Sequence, residues 1–114
     1  MGKNILKEKS FDFGVKIVRL SKTLNSQNEF VISRQVLRSG TAVGALIREA
    51  EFGESKADFA HKMNISLKEA NETLYWLDLL VAAELLNSDH IREEKSLAKE
   101  IIAMLVSTLK TIRK

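Results

Sequence analysis

Cysteine is absent from the 114 residues, which excludes a disulfide framework, a thiolate zinc site and a thiol nucleophile, and leaves the redox compartment open. Proline is absent too, and there are only 5 glycines. A fold of many tight turns, such as a sandwich or a small barrel, would lack its usual punctuation, whereas a few long helices need almost none. Aromatic residues make up 6% of the chain. No stretch approaches the roughly 18 consecutive apolar residues of a membrane span, and the lysines of the first ten residues are not followed by the apolar run of a secretory leader. These absences lead to the expectation of an all-α, soluble, cytoplasmic protein with no membrane partner.

The residues present fit that expectation. Hydrophobic residues are 45% and charged residues 29% of the chain, the balance of a folding sequence, and its length allows one domain over residues 1–114 around one core. Lys and Arg number 18 against 15 for Asp and Glu, a net charge of +3. That permits an acidic partner without requiring one.

Apolar periodicity divides the chain into helices at approximately 10–24, 30–51, 55–86 and 89–112. Phe13, Ile17, Leu20 and Leu24 recur at spacings of four, three and four, and the turn formers Asn25-Ser26-Gln27-Asn28 follow. Ile32, Val36, Val43, Ile47 and Ala50, with Gly40 beside them, form a core stripe of the second helix, which starts between Asn28 and Ser33. Gly53 offers a left-handed residue to end that helix, and Ser55-Lys56-Ala57-Asp58 fits a capping box for the next. Asn87-Ser88-Asp89 marks the last boundary, before Ile91, Ala98, Ile101, Ile102, Leu105, Leu109 and Ile112. The pattern predicts an antiparallel, up-down-up-down four-helix bundle.

The third helix, at ~48 Å the longest of the four, carries two apolar stripes. Phe59, Met63, Leu67, Ala70, Leu74, Leu77, Val81 and Leu85 account for packing inside the bundle. Ile65, Trp76, Leu79, Leu80 and Ala83, interleaved with Glu69 and Glu72, lie more than about 90° away. A monomer would expose this second stripe, so it is a candidate subunit interface with Trp at its centre. The blander alternative is one wide apolar face sitting deep between neighbouring helices.

The second helix places Arg34, Arg38 and Arg48 within about 80° of one another, opposite its core stripe. Arginines a turn apart could follow successive phosphates of RNA or DNA; equally, they could be a solvated face paired with Glu49, Glu51 or other acids. The Gly40–Gly44 spacing reads as close helix approach rather than a phosphate cradle, since no Lys-Ser or Lys-Thr follows. His61 and His90 are far apart and outside any ligand spacing, and the Glu69/Glu72 pair is within reach of Lys62, Lys68 and Arg48. No catalytic group, metal, cofactor or small-molecule substrate is expected.

The strings Arg38-Ser39-Gly40-Thr41-Ala42-Val43-Gly44-Ala45, Arg48-Glu49-Ala50, Lys56-Ala57-Asp58-Phe59-Ala60-His61-Lys62-Met63 and Lys68 to Leu77 resemble the "four helix bundle protein" family, also called the 23S rRNA intervening-sequence protein family. The similarity runs from Phe11 over nearly all the chain. It implies a left-handed up-down bundle, a homopentamer and no enzyme. It also implies a likeness to the accessory barrel protein of diversity-generating retroelements, which binds nucleic acid through a basic surface. Arg34, Arg38, Glu49, Glu69, Glu72 and Trp76 are the residues carried over. Ala42 and Leu46 depart from the family pattern of Ser and Asn, so any polar contact made there is replaced by apolar packing. Family members are often encoded inside rRNA genes, which is a genomic position and not an activity.

Overall fold

The computed structural model describes residues 4–112; the outermost residues of the expected 1–114 domain lie outside that range. Asn4 opens α1 (Ile5–Ser26), its side chain accepting the Lys7 amide at 3.0 Å, so the helix begins before the expected Ser10. Ser10 is instead buried, its hydroxyl donating to the Lys7 carbonyl at 3.0 Å. Asn28 takes a left-handed φ of 64° after α1, and the Glu29 amide reaches back to the Leu24 carbonyl at 2.9 Å. Glu29 then caps α2 (Val31–Ala50) by accepting the Ile32 amide at 2.9 Å.

Between α2 and α3 (Lys56–Ala82), Gly53 is not left-handed, contrary to the expected helix stop. It is needed for room: a Cβ there would stand 3.2 Å from both the Ala50 carbonyl oxygen and the Phe59 nitrogen. Ser55 caps α3 by accepting the Asp58 amide at 3.0 Å, but Asp58 accepts the Glu54 amide rather than that of Ser55. At 27 residues α3 is about 40 Å long, shorter than expected. It stops because Glu84 turns left-handed at φ 64° and the Leu85 amide returns to the Leu80 carbonyl at 2.9 Å. A 3-10 turn, Ser88–Ile91, leads into α4 (Arg92–Ile112). Asn87 caps that turn, accepting the His90 amide while His90 Nδ1 accepts the Asn87 amide. His90 therefore has a structural task.

The fold is an all-α four-helix bundle, 44 × 23 × 20 Å, with no strand among the described residues. Around it, α2 packs on α1 and α3, and α4 packs on α3 and α1. Contacts run in opposite chain directions: Ser10, Ile17 and Ser21 of α1 meet Gly44, Gly40 and Ser33 of α2, while Ser39 and Val43 of α2 meet Thr73 and Ser66 of α3. No helix among the described residues is long and apolar enough to cross a membrane.

Phe13, Ile17, Leu20 and Leu24 of α1 are buried, as are Val36, Val43, Ile47 and Ala50 of α2 and Ile101, Leu105 and Leu109 of α4. The buried face of α3 is Met63, Ser66, Ala70, Thr73, Leu77 and Leu80, a stripe in which two members are hydroxyls. Those hydroxyls have partners across the seams. Thr73 donates to Ser39 Oγ at 2.8 Å and Ser66 to the Val43 carbonyl at 2.9 Å, while Ser21 and Ser33 share a bond of 2.8 Å between α1 and α2. Among the described residues no buried side-chain polar atom lacks a partner, so small polar groups let the helices approach without a desolvation penalty.

Two glycines on the α1–α2 seam have opposite standing. A Cβ on Gly40 would stand 2.7 Å from Ile17 Cγ2, close to the stem of a buried β-branched side chain that cannot swing away. A Cβ on Gly14 would meet nothing within 4 Å. We predict that Gly40→Ala destabilises the fold by about 1–3 kcal/mol through overpacking, and that Gly14→Ala stabilises it by about 0.5–1 kcal/mol through helix propensity and chain entropy. Urea unfolding followed by circular dichroism reads both; equal effects of the two substitutions would contradict this packing.

Candidate functional site

The arginine stripe of α2 is divided by the helices on either side of it. Arg38 leans toward α3, where its Nη1 donates to Glu69 Oε1 at 3.1 Å and its Nη2 pairs with Glu72. Glu72 also accepts the Trp76 Nε1–H at 2.9 Å. Arg38, Glu69, Glu72 and Trp76 thus form one cluster within a single chain. Arg34 and Arg48 are exposed and have no acidic partner among the described residues. Glu49, an expected partner for the stripe, pairs instead with Lys62 at 3.0 Å, and Glu51 with Lys7 at 2.7 Å.

The candidate subunit interface on α3 also breaks up. Leu80 is fully buried in the chain's own core, which corrects its assignment to an outer stripe. Its position on the helix places it with Leu77 and Thr73, because the buried arc is shifted toward α2 by the hydroxyl contacts. Trp76 is half-buried and packs against that core. Ile65 and Leu79 are half-buried, and Ala83 is exposed just beyond the helix end. Tyr75, which the periodicity left unassigned, is 58% exposed and lies edge-on to Trp76 at 5.1 Å between ring centroids.

A larger apolar feature lies between α1 and α2. A groove of about 610 Å³ is lined by Phe11, Gly14, Val15, Val18, Gly44, Ala45 and Phe52, with Lys7, Arg48 and Glu49 as its charged lining residues. Phe11 is 62% exposed and Phe52 82%. The spacing of Phe11, Val15 and Val18, four and then three, was a readable second stripe of α1, parallel in kind to that on α3. Phe52 carried no such signal, since it stands outside the helices.

Two ion pairs join α1 to α4. Lys9 meets Glu100 and Lys16 meets Glu93, each at 3.1 Å. The Glu93 hydrogen bond raises the Lys16 ammonium above its usual value, and Glu49 does the same for Lys62. Burial pushes the Glu94 carboxyl up, with Glu93 adding repulsion, against the opposing pull of its backbone hydrogen bond and of Lys16. No group of three or more His, Asp or Glu side chains among the described residues could hold a metal ion.

The family model described as 23S rRNA-intervening sequence protein matches residues 2–107. A crystal structure of a protein of unknown function from the S23 ribosomal protein family of Bacteroides thetaiotaomicron is 50% identical, covers 93% of this chain and 99% of its own, and superposes with a TM-score of 0.90. No curated protein matches the chain.

Because the folded state raises the Glu94 pKa, it binds that proton more tightly than the unfolded chain does, and ionisation at neutral pH opposes folding. Stability from this group is therefore present at acid pH and lost as pH rises through the raised value. Glu94→Gln should raise the melting temperature at pH 7, with the gain over wild type shrinking toward zero near pH ~4, where the native carboxyl is protonated. A gain independent of pH would show that the side chain acts through packing alone.

Proposed function

Because the chain belongs to the 23S rRNA-intervening sequence protein family, we propose that it works without catalysis, as a self-associating helical bundle in the cytoplasm that holds RNA or DNA non-specifically on its arginine-bearing face. The observation that supports this reading is the freedom of Arg34 and Arg48: both are exposed on α2 with no acid among the described residues to neutralise them. Guanidinium groups in that state are available to phosphate oxygens as bidentate donors. Exposed Phe11 and Phe52 lie in the same groove as Arg48 and offer π-faces to unpaired bases. Repetition of this face around an assembly, up to the five copies expected from the family, adds weak contacts into useful avidity.

The alternative is a scaffold that binds protein and no nucleic acid. Two observations favour it: Arg38 is spent on Glu69 and Glu72, and the groove is lined mainly by apolar side chains. Neither reading assigns a catalytic group.

Filter binding of structured RNA and duplex DNA at low and physiological salt separates the two. Affinity should fall steeply with salt and vary little with base sequence. Replacing Arg34 and Arg48 together by Ala should reduce the salt slope by about one for each phosphate that the protein no longer neutralises, while Arg38→Ala should leave retention nearly unchanged because that guanidinium is already paired. No retention at low salt retires the nucleic-acid reading and leaves the scaffold.

A further inference from the structure

We propose that Arg38 is a third phosphate-binding group of the α2 stripe held in reserve, with Glu69 and Glu72 of α3 occupying its guanidinium as an internal stand-in for phosphate; this rests on the nucleic-acid reading above and concerns its regulation. Arg34 and Arg38 stand one turn apart on α2, and Arg34 is exposed with no acidic partner among the described residues. Arg38 differs in what faces it. Its Nη1 donates to Glu69 Oε1 at 3.1 Å and its Nη2 to Glu72 Oε2, so that two carboxylates converge on one cation and leave the cluster net negative. Two oxygens on the fork of a guanidinium are also what a phosphate group would present.

The strap is anchored in the core. The Glu72 oxygen that takes Arg38 also accepts the Trp76 indole N–H at 2.9 Å, and Trp76 is half-buried against the core, so a side chain fixed by packing holds the carboxylate in place. Lys68 stands one turn before Glu72 on the same helix, exposed and with no acidic partner among the described residues; the carboxylate is committed across the seam instead. Stability alone accounts poorly for this arrangement. The Arg38 side chain is 50% exposed, and ion pairs in that setting contribute little, while the same seam is already joined by the Thr73–Ser39 and Ser66–Val43 hydrogen bonds. The consequence for an anion is larger. A phosphate must displace two carboxylates to reach Arg38 but only water to reach Arg34, so the strap weakens the stripe at Arg38 while the half-exposed guanidinium stays within reach of a ligand.

The test is filter binding of duplex DNA over a salt series, comparing wild type with the double variant Glu69→Gln/Glu72→Gln, each with and without Arg38→Ala. Glutamine keeps an acceptor for the Trp76 indole and removes only the charge. The double variant should bind about tenfold more tightly at low salt, with a log–log salt slope steeper by about 0.9, the increment for one more neutralised phosphate of a duplex. Adding Arg38→Ala to it should return the slope to that of wild type. Trp76→Phe, which keeps the ring packing and loses the N–H, should show a smaller gain that also requires Arg38. Helical circular dichroism checks that each variant is folded; if the double variant is not, Glu69→Gln alone replaces it, since that carboxylate meets only Arg38 among the described residues. A gain of equal size with and without Arg38 comes from lost negative charge in general and overturns the strap, as does wild-type binding that no glutamine substitution alters. No retention of any of these proteins at low salt overturns the nucleic-acid reading itself.

Discussion

The bundle depends on how closely α2 approaches the helices on both sides of it. On the α1 side, Gly40 admits Ile17 and Gly44 admits the Ser10 backbone; on the α3 side, Ser39 and the Val43 carbonyl receive the hydroxyls of Thr73 and Ser66. Close approach lets short side chains fill the interior at high density, and each hydroxyl in the seam finds a partner, so that no buried side-chain polar atom among the described residues is stranded. The same approach sets the rotation of α2, and through it the direction in which every residue on its outer face points.

That rotation decides the surface chemistry. A stripe of arginines spanning ~80° on a helical wheel is wide enough to be shared by two seams. Arg38 falls on the α3 side and is held by Glu69 and Glu72, which also fixes the Trp76 indole through a shared carboxylate. Arg48 falls toward α1 and enters the groove, and Arg34 points outward. One paired and two free guanidiniums result from three residues of identical chemistry. The α1–α2 face thus presents two guanidiniums without an acidic partner among the described residues, one of them beside the apolar lining of the groove.

Much of this was legible beforehand where a single helix determines it. The spacing of Phe13, Ile17, Leu20 and Leu24 identified the buried face of α1, and Ser55 was correctly read as a cap, since both depend on neighbours within a turn or two. The resemblance carried by the Arg38–Ala45 and Lys68–Leu77 strings is supported by the family match over residues 2–107. Other features were hidden. Leu80 looked like a surface residue because Ser66 and Thr73, which share its face, do not register as core in a hydrophobic pattern. The end of α3 came early because Glu84 adopts a left-handed conformation usually reserved for Gly or Asn.

By itself, then, the sequence determined the class of fold, the helices and most of the apolar faces, because these follow from periodicity and from capping groups close along the chain. Only the tertiary structure decided which hydroxyls are interior, which arginine is neutralised, and that Phe11 and Phe52, 41 positions apart by their numbers, line one groove. Those outcomes depend on the register and rotation of helices against one another. They are set by contacts such as Gly40 on Ile17 and Thr73 on Ser39, between residues that no local pattern pairs.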